Sequence, residues 1–257
     1  MWEERTLVDV LMAVYLFNAD LNGNDGIQHL IGDGRVKEFL CGSFEVFDEA
    51  AYNLMYKVTS EDFVIVDTLT ALSDVTRADA KLGNDANELL WDKRDKLQGE
   101  AYGGTYEMAR ILIMRRLVNL RNRGAHIITT THERDQRDDS RQIKQRGPQI
   151  SPKFYSNLMG QSSDVFRMQV LLEPIVDNDG KVKVPVGTRT LQLRESEDYV
   201  AKYQVRRDLS DRIPRILYNP TWQKLCTTLG KVPSWLTIYG PPGVGKTTLI
   251  TDMAETH

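Results

Sequence analysis

The chain has 257 residues, enough for one large domain or two small ones, and its 41% hydrophobic and 27% charged residues are ordinary for a soluble globular protein. A formal net charge of −3 excludes a global pull toward nucleic acid or anionic membrane, so any such contact must come from a local patch. Two cysteines, Cys41 and Cys226, form neither a disulfide framework nor a zinc pattern; with an acidic start (Met1-Trp2-Glu3-Glu4) and no apolar run of spanning length, they point to the cytoplasm.

In chain order, residues 3–12 read as a helical turn or two, and residues 13–19 (AVYLFNA) as a buried strand ending at Asp20. Residues 21–34 are rich in Gly, Asn and Asp and read as a loop. A short strand is expected at 36–40. Apolar residues at helical spacing (Phe44, Phe47, Ala51, Leu54, Met55) predict a helix over 44–57. Residues 63–68 (FVIVDT) are a continuous apolar run, typical of a strand covered on both faces in a parallel sheet. The pattern weakens over 69–104, a partly helical excursion. Residues 105–123 form the clearest helix, closed by Gly124, and 126–131 (HIITTT) is another buried strand. Polar, aperiodic residues 134–152 read as a loop. Later strands are expected at 165–172, 188–194 and 199–206, with a turn at Asp177-Asn178-Asp179-Gly180. A short helix from Asn219-Pro220 to Gly230 leads into a last buried strand, 235–239 (WLTIY). There is no repeat and no Gly/Ser linker, as expected of one domain over 1–257. Strands alternating with helices predict a mainly parallel α/β sheet flanked by helices.

That last strand runs into Gly240-Pro241-Pro242-Gly243-Val244-Gly245-Lys246-Thr247-Thr248, which fits G-x-x-x-x-G-K-[ST], and a helix is expected over 247–255. The glycines let backbone N–H groups close around phosphates, and the helix N-terminus adds its positive end. Lys246 is placed to reach the β- and γ-phosphates of ATP, and the Thr247 hydroxyl to ligate magnesium. Such a loop requires an acidic companion at the end of a neighbouring strand. Asp67, closing FVIVD, supplies it as a Walker B carboxylate and second metal-binding residue.

The order AVYLFNAD, FVIVDT with TLTAL behind it, a long helix, then HIITTTHE resembles the RecA-like ATPases, and most of all the Sak-type phage recombination and single-strand annealing ATPases. The likeness covers roughly residues 14–213 and 235–255. It implies ATP and Mg2+ as cofactors, a ring or filament of identical subunits, and DNA recombination as the setting. It also implies that Asp20 activates the attacking water, where the family usually has Glu, a departure that bears on the hydrolysis rate. Thr131 or His132 becomes the γ-phosphate sensor, and Glu133 the next candidate base. One departure is larger: the P-loop strand and helix come last instead of first. Since each expected element occurs once, the order reads as a circular permutation, against a fragment joining two ATPase units or a domain swap with the same site chemistry.

The 134–153 segment carries Arg134, Arg137, Arg141, Lys144, Arg146 and Lys153 against Asp135, Asp138 and Asp139. It follows the sensor strand, where RecA-like proteins place a DNA-binding loop. Its basic groups are candidates for single-stranded DNA phosphates and Phe154 and Tyr155 for base stacking, the alternative being a solvated loop. The resemblance also implies a basic residue reaching the neighbouring subunit's site from a late strand, and alternation makes Lys202 and Arg206 the candidates, with Arg207 facing the other way. A ring-helicase-like motor and a nucleotide switch with little turnover remain the other functional readings.

Overall fold

A computed structural model describes residues 12–20, 26–86, 104–137, 143–205 and 207–256. The expected turn at 3–12 lies almost wholly outside them, as do Met1, Arg206, His257 and the tip of the 134–152 segment.

Eight strands form one sheet: β1 (Val14–Asn18), β2 (Val36–Leu40), β3 (Phe63–Asp67), β4 (His126–Thr131), β7 (Asp164–Val170), β10 (Arg189–Gln192), β11 (Ile216–Tyr218) and β12 (Trp235–Tyr239). Their spatial order is β11-β10-β7-β12-β4-β3-β1-β2. From β2 to β7 every pairing is parallel; β10 and β11 close the other edge antiparallel. The strand latest in sequence therefore sits in the interior, with Tyr239 in register with Thr131 of β4 on one side and Arg167 of β7 on the other.

Strands β1, β3 and β12 are buried at every residue, because both faces of the sheet are covered. Alternation splits their side chains between two cores. Val14, Leu16, Ile65, Leu236 and Ile238 pack with α1 (Gln28–Gly32), α7 (Trp222–Leu229) and α8 (Lys246–Thr256) through Leu30, Leu225, Leu249 and Met253. Tyr15, Phe17, Val64, Val66 and Trp235 face α2 (Phe44–Leu54), α3 (Leu69–Ala86), α4 (Gly104–Asn122) and α5 (Pro152–Gln161) through Phe47, Leu72, Leu117 and Phe154. Helix ends follow local chemistry. The Ser43 hydroxyl accepts from Val46 N–H at the start of α2, the Thr221 hydroxyl from Lys224 N–H at the start of α7, and Gly230 closes α7 at φ 65°.

The structure departs from expectation in four places. Residues 21–34 are not all loop: α1 forms at Gln28–Gly32, pinned by buried Leu30. Residues 134–152 are mostly a hairpin of β5 (Glu133–Arg137) and β6 (Ile143–Pro148), whose polar sequence carries no alternation to reveal it. Helix α5 and strand β11 were unforeseen. Finally, residues 199–205, the described part of the expected 199–206 strand, do not form a strand. Val200 N–H donates to Arg146 of β6, whereas Lys202 exchanges both backbone bonds with Val165 of β7, so the segment crosses between two partners and ladders with neither. The turn at Asp177–Gly180 joins a small outlying hairpin, β8 (Ile175–Val176) and β9 (Val182–Val184). A short α6 (Arg207–Ser210) precedes β11. No helix among the described residues is long and apolar enough to cross a membrane.

Candidate nucleotide site

At the C-terminal ends of the parallel strands, β12 turns into the Gly240–Thr248 loop and α8. Two glycines adopt backbone that side chains resist, Gly243 at φ 75° and Gly245 at φ 94°. Gly240 is required by space instead, since a Cβ there would lie 2.1 Å from the Met168 carbonyl oxygen of β7. Lys246 is buried at the first turn of α8, and its ammonium donates to the carbonyls of Gly240 (3.0 Å) and Pro241 (2.9 Å). Burial pushes its pKa below the usual lysine range; Asp67, Glu133 and Asp20, in that order, pull it back up. Those three carboxylates, at the end of β3, at the start of β5 and just after β1, thus all act on the loop's lysine.

Asp67 organises the centre. Its carboxylate accepts one hydrogen bond from the Thr247 hydroxyl at 2.9 Å and another from the Thr130 hydroxyl of β4. The pairing joins residues 180 positions apart in the chain. Asp20 follows β1, and its N–H and that of Ala19 donate to the Asp67 carbonyl (3.3 and 2.9 Å), which sets Asp20 beside the end of β3.

Beyond β4, His132 donates its N–H to the Thr70 hydroxyl (3.1 Å) and its carbonyl accepts from Gln149 N–H (2.8 Å). The Thr131 hydroxyl and His132 Nδ1 are buried without a hydrogen-bond partner among the described residues, a costly arrangement that marks this strand end as a place where a polar partner is due. Alternation along β4 turns Thr130 toward Asp67 and Thr131 to the opposite face. Thr130, not Thr131, is the β4 hydroxyl bonded to the Asp67 carboxylate. The resemblance placed the polar strand-end residue at Thr131 or His132 and did not single out Thr130.

Glu133 is paired bidentately with Arg167 of β7, at 2.5 and 3.0 Å. Arg167 is 7% exposed, also donates to Gln169 Oε1 (2.6 Å), and lies over the Tyr199 ring. Arg146 of the hairpin approaches both Glu133 (3.8 Å) and Asp135 (3.5 Å). This group ties the strand next to the P-loop strand to the root of the β5–β6 hairpin. Arg167 was missed because a lone arginine in an apolar strand has no motif around it.

Other expected residues lie elsewhere. The Lys202 ammonium donates to the carbonyls of Met159 (2.6 Å) and Ser162 (2.8 Å), satisfying the C-terminal end of α5 in its own chain. It is anchored within its own subunit rather than presented to a neighbour. Arg206 lies outside the described residues, as do Asp138, Asp139 and Arg141; of Lys144 and Arg137 only the backbone is described. Phe154 is fully buried in the core and is therefore not a stacking platform, while Tyr155 is partly buried against the same core. Arg134 is half-buried, and desolvation lowers its pKa, with Tyr155 acting the other way.

These donors fit a magnesium nucleotide. The loop offers N–H groups where side chains cannot stand, a buried ammonium, and a hydroxyl and carboxylate oxygen 2.9 Å apart, the hard oxygen pair that magnesium takes.

The AAA domain family model matches residues 19–205, which begin just after β1, run through the 199–205 crossing segment and stop short of the Gly240–Thr248 loop. No curated protein and no solved structure matches the chain.

Proposed function

Because the chain belongs to the AAA domain family of P-loop ATPases, we propose that it is a circularly permuted RecA-like ATPase of the Sak type, which hydrolyses MgATP as an oligomer and acts on single-stranded DNA in recombination or annealing. The reading rests above all on the 2.9 Å bond from Thr247 to Asp67, which joins a P-loop at one end of the chain to a Walker B carboxylate in its first third. One observation favours permutation over a fragment: β12 lies inside the sheet between β4 and β7.

With MgATP bound, Gly243, Gly245 and the first amides of α8 would hold phosphate oxygens, Lys246, now bonded to the Gly240 and Pro241 carbonyls, would meet the β- and γ-phosphates, and Thr247 and Asp67 would hold magnesium. MgATP, when bound, supplies the phosphoryl group and the divalent charge that eases its transfer. The Asp20 carboxylate accepts the proton of the attacking water. Thr130 holds Asp67 in place, His132 reports on the γ-phosphate, and Arg206 completes the site of the neighbouring subunit. Glu133, at the site and at the root of the hairpin, links nucleotide state to Arg134, Arg146 and Lys153, which contact DNA phosphates.

Asp20 in place of Glu, with Glu133 held by Arg167, favours one other reading, a nucleotide switch with slow turnover. Measuring ATP hydrolysis with and without single-stranded DNA separates the two. Stimulation by DNA supports the recombination ATPase; tight ATP binding with negligible turnover under both conditions supports the switch.

A further inference from the structure

Arg189 opens β10 with its side chain lying on the P-loop. A Cβ placed on Gly245 would come within 2.8 Å of Arg189 Nε, 3.0 Å of Cδ and 3.1 Å of Cζ, so the arginine fills the space that glycine leaves. Its backbone is fixed: Arg189 is in register with Val170 of β7, and its carbonyl accepts from Asn219 N–H at 2.8 Å. Its side chain is exposed and has no carboxylate partner among the described residues, whereas Arg167 and Arg146 nearby are both engaged with Glu133.

Strand order fixes which part of a nucleotide this guanidinium meets. Asp67 on β3 lies on one side of β12, separated from it by β4, and Arg189 on β10 lies on the other, separated by β7. A nucleotide whose γ-phosphate sits at the Asp67–Thr247 pair extends its α-phosphate and nucleoside away from β3. Asp67, Glu133 and Asp20 all act on Lys246, while across β12 from Asp67 the exposed Arg189 guanidinium has no carboxylate partner among the described residues. Building on the ATPase reading above, we propose that Arg189 is a nucleotide-binding residue acting within its own subunit, donating to α- and β-phosphate oxygens from the side opposite the magnesium. Gly245 is the complement of this arrangement: the loop carries no side chain there, and the guanidinium stem takes its place.

The test is equilibrium binding of fluorescent ATP, ADP and GTP analogues to the full chain, wild type against Arg189→Ala and Arg189→Lys. An exposed side chain leaves the fold intact, which the thermal midpoint without nucleotide checks. Loss of a charge-assisted hydrogen bond predicts a roughly 10–100-fold weaker affinity for Arg189→Ala. The loss should be equal for ATP and ADP, equal for ATP and GTP, partly restored in Arg189→Lys, and smaller at high salt. Unchanged affinity in Arg189→Ala, a loss confined to ATP, or a loss confined to adenine nucleotides would each overturn the inference while leaving the ATPase reading standing. A wild type that binds no nucleotide would overturn that reading and this inference with it.

Discussion

Strand β12 and the β5–β6 hairpin both reach the nucleotide site, and they are held there by different means. In β12 all five residues are buried, its neighbours pair with it in parallel on both sides, and Trp235, Leu236 and Ile238 anchor two cores. The hairpin leans on its own antiparallel ladder, on Arg146 N–H bonded to the Asp198 carbonyl, and on charges converging at Glu133. A site with one rigid wall and one polar, partly exposed wall can hold phosphate in fixed geometry and still transmit its presence, because charge pairs rearrange more readily than packed cores. The following variants probe that contrast.

The largest effect is expected at the joint between the two walls. Arg167→Ala leaves the Glu133 carboxylate without its bidentate partner, and a broken buried pair costs about 3–5 kcal/mol, read as a lower urea midpoint at unchanged slope. Removing both charges, Arg167→Ala with Glu133→Ala, should recover much of that loss. If the double variant is no more stable than Arg167→Ala, the pair is not the connection described. On the rigid wall, Asp67→Asn keeps the shape yet weakens the hold on magnesium. Magnesium-dependent turnover should fall by about 10²-fold or more with ATP affinity within a few-fold of wild type.

Gly240→Ala comes next. The added methyl meets the Met168 carbonyl, and forcing β12 and β7 apart should cost roughly 1–3 kcal/mol. The same change at Gly32, with no heavy atom within 4 Å of the added carbon, should be close to neutral in stability, which makes it the control. For the hairpin, Arg134→Ala should leave ATP affinity unchanged but weaken single-stranded DNA binding and reduce its salt slope by about 1. Equal DNA affinity in that variant would return the hairpin to the solvated-loop reading.

Much of the rigid wall was legible in the sequence. WLTIY and FVIVD are short apolar runs that only a doubly covered strand accommodates, and the P-loop glycines carry their own chemistry. Asp67 followed from the demand of that loop for an acidic neighbour. The polar wall was not legible, because its partners lie far apart in sequence and no period links them. Glu133 and Arg167 are 34 residues apart, on different strands. The 199–206 segment misled for a related reason: Tyr199, Val200 and Ala201 are buried as strand residues would be, yet the backbone serves two neighbours in turn. Lys202 likewise looked like a cation presented outward, because the resemblance asked for a basic residue on a late strand and alternation chose it on a strand that does not form.

The smallest effect concerns the two thiols. Burial, with Glu38 adding to it, pushes the Cys41 pKa up to about 12; burial and Asp164 push Cys226 to about 11. Raised values mean less thiolate, so near pH 8 both should react with a thiol reagent far more slowly than free cysteine, Cys41 the slower, and both at the ordinary rate in urea. Fast labelling of native Cys41 would contradict the packing of β2 against α2.

The central claim is that Gly240–Thr248 and Asp67, whose bonded residues lie 180 positions apart, form one ATP site. Calorimetric titration of MgATP into the wild type and Lys246→Ala tests it most directly. The account predicts one nucleotide per chain for the wild type, and at least ~100-fold weaker binding in Lys246→Ala, whose ammonium no longer meets phosphate, with unchanged circular dichroism. Equal affinity in the two proteins would contradict it.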